Sequence, residues 1–151
     1  MIKTIASNKK AFHDYTILEK IEAGLVLVGT EVKSLRAGNV RLSEAYAWPV
    51  NGELYIQNMF IGEYKQGNIH NHEPTRDRKL LLKKKELEKL IAKTQEKGLN
   101  IVPLRIYFKD ALVKLELGLG KGKKLYDKRE TLKKKVMDRE AQRSLADRNK
   151  G

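Results

Sequence analysis

The alternation of apolar and polar positions along the first 120 residues is mostly that of short β-strands. Apolar or β-branched runs of five to nine residues recur there, separated by turn-forming residues. They predict six strands, at residues 15–19, 24–30, 42–50, 53–61, 102–108 and 112–117. Turns are expected at Glu22-Ala23-Gly24, Asn51-Gly52 and Lys109-Asp110-Ala111. Asn51-Gly52 is the strongest hairpin signal, because both residues tolerate positive φ.

Two segments have helical features. Glu31–Ala37 is a short helix that follows a strand and ends at Gly38-Asn39. Residues 84–97 place Leu87, Leu90, Ile91 and Thr94 on one face and end before Gly98. The stretch from 65 to 78 is predicted to be a loop. The expected fold is therefore mainly β with minor α, a small closed or partly open barrel of the OB-like kind.

Charge changes this picture by indicating the partner. The chain has 151 residues, enough for one domain, with 32 Lys and Arg against 19 Asp and Glu and a net charge of +13. A field of this sign attracts polyanions, nucleic acid first and an anionic membrane surface second. The absence of cysteine excludes disulfides and thiol catalysis. No apolar run approaches the roughly twenty residues of a membrane span. We therefore expect a soluble, cytoplasmic protein.

The basic residues are concentrated at the C-terminal end. Residues 121–151 hold twelve Lys and Arg against five acids. This composition predicts a globular domain at 1–120 and a basic tail at 121–151. The tail has only a thin apolar stripe, so we expect it to be disordered alone and to fold on a partner. A lysine-rich solvated face would have a similar sequence.

Catalytic and metal-binding motifs are not supported. The glycines from 118 to 122 fail as a phosphate loop, because Leu117 and Lys124 stand where a glycine and a Ser or Thr are needed. His70 and His72 lack further ligands at a metal-site spacing and are expected to be exposed loop residues. The carboxylates that could serve acid–base or magnesium chemistry, Glu19, Glu22, Glu31 and Asp110, follow no recognised spacing. We predict no enzyme activity, no cofactor and no metal.

Candidate RNA-binding residues lie in four groups. Residues 8–15 interleave Asn8, Lys9 and His13 with aromatic residues, a combination suited to phosphates and unpaired bases, although Phe12 and Tyr15 could equally be core residues. The other groups are a basic edge around the first helix (Lys33, Arg36, Arg41), an alternating set that could clamp a phosphate (Arg76, Arg78, Lys79) and tail residues at helical spacing (Lys128, Arg129, Lys133, Lys135, Arg139, Arg143).

Several blocks of this sequence together resemble the SmpB family, the SsrA-binding proteins. They are NKKAFHDY at 8–15, EAGLVLVGTEVKSLRAGN at 22–39, PTRDRKLLL at 74–82, the VPL strand near Pro103 and GLGKGKKLYDKR at 118–129. The blocks occur in the family's order over nearly the whole chain. Each block is a weak signal alone, but the set is specific.

The resemblance implies a fold and a function. The implied fold is a six-stranded, closed, OB-like barrel with about three packed helices and a C-terminal tail. Members bind the tRNA-like domain of transfer-messenger RNA and deliver it to ribosomes stalled without a stop codon. The barrel then replaces the missing anticodon arm, and the tail forms a helix in the empty mRNA channel near the decoding centre. Alanyl-tRNA synthetase and elongation factor Tu are implied as functional partners.

The resemblance also implies site residues. Asn8, Glu22 and the Leu80–Leu81 neighbourhood match RNA-binding positions, and a carboxylate such as that of Glu22 can accept hydrogen bonds from base amino groups. Asp127 and the two residues after it match the start of the functional tail. The expected barrel site is Asn8, Lys9, His13, Glu22, Lys33, Arg36, Arg76, Arg78, Lys79 and Leu81. The expected tail site is Lys121, Lys123, Lys124, Asp127, Lys128, Arg129, Lys133, Lys135, Val136, Met137, Arg139 and Arg143.

Two other functions fit parts of the sequence. A general RNA-binding or ribosomal protein would share the charge and the tail, but would not prefer tRNA-like folds. A metal-dependent nuclease would use Glu22, Glu31 or Asp110. The adaptor function implied by the resemblance accounts for more of the sequence than either of these.

Overall fold

The computed structural model describes residues 1–65 and 71–123, and this part of the chain is mainly β, as the pattern predicts, with three helices, as the resemblance implies. Residues Met1–Lys121 form one compact unit. The strands are β1 (Ile2–Ser7), β2 (Tyr15–Leu25), β3 (Val40–Arg41), β4 (Tyr46–Val50), β5 (Glu53–Gln57), β6 (Phe60–Ile61), β7 (Arg78–Leu81), β8 (Leu99–Lys109) and β9 (Leu112–Gly122). The helices are α1 (Lys9–Asp14), α2 (Gly29–Arg36) and α3 (Lys84–Lys93).

Seven strands form the main sheet, in the order β1-β8-β9-β2-β7-β5-β4, and β3 pairs with β6 in a small second sheet. The β1–β8, β8–β9, β2–β7, β5–β7 and β4–β5 pairings are antiparallel. The predicted count of six strands is thus one too few for the main sheet. The pairings of the described residues do not confirm closure into a barrel.

Two of the predicted hairpins are present. β4 and β5 meet at Asn51 and Gly52, whose φ angles are 50° and 80°, so both residues of the turn have the positive φ that the sequence indicates. β8 and β9 meet at Asp110, with φ of 56°, and Lys109 pairs with Leu112. Both turns were predictable because their signals are local.

The predicted turn at residues 22–24 is wrong, because β2 continues through it as one strand of eleven residues. Gly24 pairs with Leu81 of β7, and a Cβ built on Gly24 would lie 3.3 Å from the Leu81 Cβ. The glycine therefore permits a close approach between strands and forms no turn. The predicted strand at 24–30 ends at Leu25, since α2 begins at Gly29.

The predicted helices are present with shifted ends, and one helix was missed. α2 begins two residues before the predicted start, and α3 ends at Lys93, four residues before the predicted end. α1 has only six residues, too few for an apolar periodicity to appear in the sequence. β1 is not predicted because its apolar residues, Ile2, Ile5 and Ala6, do not alternate with polar ones.

A bulge in β8 determines which of its side chains face the core. The register shifts between Pro103, opposite Leu117, and Arg105, opposite Glu116. Ile101 and Ile106 consequently both lie in the main core, although they are five positions apart. Leu104 packs instead in a small second core with Ala11 of α1. After the bulge the alternate residues Arg105, Tyr107 and Lys109 share the outer face of the sheet.

Candidate nucleic-acid interface

Asn8, a predicted RNA contact, is buried and joins three parts of the fold. Its Oδ1 accepts a hydrogen bond from the Ala11 N–H at 3.2 Å and so caps α1. Its Nδ2 donates to the carbonyl oxygens of Pro103 at 2.9 Å and Leu42 at 3.3 Å. With 4% of its surface exposed, Asn8 positions α1 against β8. Any effect of Asn8 on RNA binding therefore acts through the placement of its neighbours.

Replacing Asn8 with alanine should lower stability. The change removes a helix cap and leaves the Leu42 and Pro103 carbonyls without this donor, so the free energy of unfolding should fall by about 2–3 kcal/mol. Lys9→Ala is the matched control, because Lys9 is exposed on the same helix. It should leave urea denaturation unchanged and weaken RNA binding in a salt-dependent way. Equal stability of the two variants would contradict a structural role for Asn8.

α1 also carries exposed groups that suit an RNA contact. The His13 side chain is 75% exposed, and its Nδ1 lies 2.9 Å from Oδ1 of Asp14. Phe12 is 44% exposed, with the Lys20 ammonium of β2 5.7 Å from its ring centroid. Tyr15 packs against the small second core instead. Of the two aromatic residues left open by the sequence, Tyr15 is thus a core residue and Phe12 is a surface residue.

Glu22 stands on the outer face of β2, held by two residues of β8. Its Oε2 accepts a hydrogen bond from the Tyr107 hydroxyl at 2.5 Å, and its Oε1 lies 3.3 Å from Nζ of Lys109. The Tyr107 hydrogen bond, with Lys109 and Lys114, holds the pKa of the Glu22 carboxyl below its ordinary value. The side chain is 36% exposed, so an ionised carboxylate is presented to solvent in a fixed position.

Leu81 lies beside Glu22 on the same outer face. It is 50% exposed and stands opposite Gly24, which is two residues from Glu22 along β2. Leu18 and Lys20 are also exposed on this face of β2. Leu80, the other residue of the predicted pair, is 1% exposed and faces the core. We call Leu18, Lys20, Glu22 and Leu81 the outer β2 face.

Arg76 and Arg78 do not form the open phosphate clamp that their alternation predicts. Both arginines form ion pairs with Glu31. Arg76 Nη2 lies 2.7 Å from its Oε1, and Arg78 Nε lies 2.5 Å from its Oε2. Arg78 also donates to the carbonyl oxygens of Met59 at 2.7 Å and Pro74 at 2.9 Å, and its side chain is fully buried. The alternation that the sequence shows cannot reveal that a buried carboxylate lies between these guanidinium groups.

The Glu31 carboxylate stays ionised in this buried cluster. Burial raises its pKa, but the hydrogen bonds from Arg76, from the Val28 N–H and from Arg78 outweigh burial, so the pKa lies below its ordinary value. The Val28 N–H bond, 2.9 Å long, also caps the start of α2. Glu31 is thus a structural residue that joins α2 to β7, and it is not accessible for acid–base chemistry.

The basic edge around α2 is exposed, and local aromatic rings orient two of its cations. The Lys33 ammonium lies 5.4 Å from the centroid of the Tyr64 ring, and the Arg41 guanidinium lies 4.0 Å from that of Phe60. Arg36 lines a cleft of about 650 Å³ together with Lys3 and Phe108. On β7, Nζ of Lys79 is 3.7 Å from Oε2 of Glu53. These cations remain open to solvent, unlike Arg78.

Only the beginning of the predicted tail site is described. Lys121 is exposed in β9, where it pairs with Leu99 of β8, and Lys123 is exposed just after the strand. β9 therefore extends past the boundary predicted at residue 120. The remaining tail residues of the prediction lie outside the described residues, and they are Lys124, Asp127, Lys128, Arg129, Lys133, Lys135, Val136, Met137, Arg139 and Arg143.

Residues 1–65 and 71–123 hold neither a candidate metal centre nor a candidate membrane-spanning helix. Within these ranges, no group of three or more His, Cys, Asp or Glu side chains could hold a metal ion. His72 is 8% exposed and bonds to Thr30 at 2.9 Å and to the Ile61 carbonyl at 2.8 Å, so the expectation of an exposed histidine is wrong for this residue. In the same ranges no helix is long and apolar enough to cross a membrane.

Tyr107 and Lys109 belong to the candidate site through their contacts with Glu22, and the sequence pattern does not indicate them. They lie 85 and 87 positions from Glu22, and no local motif connects them to it. The bulge beside Pro103 sets which face Tyr107 occupies, and a bulge leaves no clear signature in a single sequence. Only the lone proline within a strand could have indicated an irregularity there.

The chain is similar to proteins of one family in both sequence and structure. The family model described as SmpB protein matches residues 5–147. An SsrA-binding protein of Halalkalibacterium halodurans is 56% identical over 148 residues, 98% of this chain and 96% of the relative. One of Geobacter sulfurreducens is also 56% identical, over 98% and 97%. A solved structure described as "tmRNA-SmpB: a journey to the center of the bacterial ribosome" matches with a TM-score of 0.67 and 50% identity, over 78% of this chain and 83% of that one.

Proposed function

The chain belongs to the SmpB protein family, and from this premise we propose that it binds transfer-messenger RNA (SsrA RNA) and delivers it to stalled bacterial ribosomes. It acts as an RNA-binding adaptor without catalytic activity of its own. Its place of action is the cytoplasm, where ribosomes translate. The observation that carries the proposal is the 56% sequence identity to SsrA-binding proteins over nearly the full length of the chain. An exposed surface whose chemistry suits RNA supports it.

The outer β2 face supplies three kinds of RNA contact. The ammonium of Lys20 can meet a phosphate, and the exposed Leu18 and Leu81 can pack against a base or a ribose. The fixed carboxylate of Glu22 can accept hydrogen bonds from base amino groups. A phosphate-only site would not contain an acid, so Glu22 favours recognition of particular bases in addition to binding of the backbone.

Other cations extend this face. Lys9 and His13 lie on α1 with Phe12, and the ring of Phe12 is next to Lys20 of the outer β2 face. Lys33 and Arg36 of α2, together with Lys79 of β7, are further cations open to solvent. The net charge of +13 supplies long-range attraction to the RNA, whereas the outer β2 face supplies preference among RNAs.

Barrel closure, the position on the ribosome, the role of the tail and the protein partners are proposed from membership of the SmpB family. An OB-like, barrel-shaped closure of the sheet is supported by β4, the strand at one end of the sheet order, which contacts β8 near the other end. On the ribosome this body would take the place of an anticodon arm. The tail at 121–151 would enter the empty mRNA channel near the decoding centre as a helix. Alanyl-tRNA synthetase and elongation factor Tu would act on the same RNA.

Equilibrium binding tests the proposed function directly. The purified chain should prefer the tRNA-like domain of transfer-messenger RNA over ordinary tRNA and an unrelated hairpin by at least about tenfold, a difference of about 1.4 kcal/mol. The preference should survive a rise in salt, because base contacts do not release counterions, although all three affinities should fall. Equal binding to the three RNAs that weakens equally with salt would favour the general RNA-binding protein indicated by the net charge alone.

A further inference from the structure

Tyr107 reaches Glu22 across an intervening strand. In the sheet order β9 lies between β8, which carries Tyr107, and β2, which carries Glu22. Two strand spacings amount to roughly 10 Å, so a long side chain is needed to join these positions. The Tyr107 and Glu22 side chains bridge that distance together: Tyr107 has 2% of its surface exposed, and its hydroxyl lies 2.5 Å from Oε2 of Glu22.

The Tyr107 ring is itself held by its neighbours. The Arg105 guanidinium lies 4.4 Å from the ring centroid, and Arg105 is fixed in turn by Glu116 at 3.3 Å and by the Thr4 hydroxyl at 3.2 Å. Burial and the nearby Glu22 carboxylate raise the pKa of the Tyr107 hydroxyl. The hydroxyl therefore remains a hydrogen-bond donor at physiological pH, within a side chain that has few alternative conformations.

We propose that Tyr107 is a positioning residue for RNA recognition: it fixes the Glu22 carboxylate in the orientation in which its remaining lone pairs accept donors from the RNA. This inference rests on the proposed function. The carboxylate has about four lone-pair sites, and Tyr107 and Lys109 occupy part of this set, which leaves acceptor capacity on an exposed side chain. An acceptor that is already oriented loses less conformational entropy on binding than a freely rotating one.

The charges around Glu22 fit the same role. Lys109 of β8 and Lys114 of β9 face the carboxylate and lower its pKa, and Glu116 stands further along β9 beside Arg105. The two lysines offset the repulsion that an acid would exert on phosphates. Glu22 can then discriminate among RNA donors without weakening the overall attraction for RNA.

A double-mutant cycle tests the proposal with the full chain and the tRNA-like domain of transfer-messenger RNA. Tyr107→Phe removes only the hydroxyl, and the partner left behind is an exposed carboxylate that water can solvate, so the variant should fold. The affinity of Tyr107→Phe for this RNA should fall roughly tenfold. The affinity of Glu22→Gln should fall by at least as much. The double variant should bind no more weakly than Glu22→Gln alone, because Tyr107 acts through Glu22. Tyr55→Phe on β5 is the matched control and should bind like the unmodified chain.

A pH profile separates positioning from a merely structural effect. In the unmodified chain, the Glu22 contribution to affinity is present above the lowered pKa of its carboxyl and is lost as the pH falls through that pKa. In Tyr107→Phe this loss should begin at a higher pH, because the main cause of the lowered pKa is gone. In Glu22→Gln this component of the profile should be absent.

The outcomes distinguish the inference from the proposed function. If Glu22→Gln binds the RNA as well as the unmodified chain does, the role proposed for Glu22 fails, and that of Tyr107 fails with it. If Glu22→Gln is weakened while Tyr107→Phe is not, the positioning role alone is overturned and the adaptor function stands. Additive losses in the double variant, with an unshifted pH profile, would likewise overturn positioning.

Discussion

Replacing Glu31 with alanine is expected to destabilise the protein by about 3–5 kcal/mol, because it leaves the fully buried Arg78 without its carboxylate partner. Arg76 loses the same partner, and the start of α2 loses the cap on the Val28 N–H. The free energy of unfolding from urea denaturation would measure the effect. A loss of this size is a large fraction of the stability of a small domain.

The matched control for this prediction is Glu53→Ala. Glu53 pairs with Lys79 at 3.7 Å near the surface, so its removal should cost less than about 1 kcal/mol. Adding Arg78→Met to Glu31→Ala should recover part of the stability, since the unpaired buried charge is then removed. A Glu31→Ala variant as stable as Glu53→Ala, or one made worse by Arg78→Met, would contradict the structural role of the cluster.

The same cluster predicts an acid dependence of stability. The pKa of Glu31 is lower in the folded chain than its ordinary value of 4.5, so the pair stabilises the fold above that pH. The contribution is lost as the pH falls through the lowered pKa, because the folded state then binds the proton that the unfolded state already holds. The acid-induced loss should therefore be smaller in Glu31→Ala than in the unmodified chain.

Truncation before Asp127 is expected to abolish ribosome rescue while leaving binding to the tRNA-like domain within a few-fold. The deletion removes nine Lys and Arg and five acids, so its effect on general attraction to RNA is modest. The outer β2 face is retained. Release of ribosomes stalled on a message without a stop codon, in a reconstituted translation system, would measure rescue. Filter binding would measure RNA affinity.

Glu22→Gln is the complementary variant. It keeps residues 127–151 and should lose affinity for the tRNA-like domain, with rescue restored by an excess of protein. An excess of the truncated chain should not restore rescue, because its defect arises at a step after RNA binding. A truncation that lowers RNA affinity by orders of magnitude would count against the assignment of RNA binding to the domain and of rescue to the tail.

Local signals in the sequence account for the elements that were predicted correctly. Asn51-Gly52 and Asp110 mark turns because their backbones tolerate positive φ, a property of the residues themselves. Gly38, with φ of 76°, marks the end of α2 for the same reason, whereas Gly98 lies in the turn before β8, since α3 ends at Lys93. Gly24 was misinterpreted because glycine has a second use, permitting a close approach between strands, and that use depends on a distant partner, Leu81.

By itself, the sequence determined the mainly β class, the two hairpins, the basic character of the surface and, through its combined motifs, the family. These properties follow from local backbone preferences and from composition. Only the tertiary structure decided that Glu31 lies between Arg76 and Arg78, and that Tyr107 holds Glu22. Those contacts join residues 45 to 85 positions apart, and strand register and a bulge, rather than any local preference, bring them together.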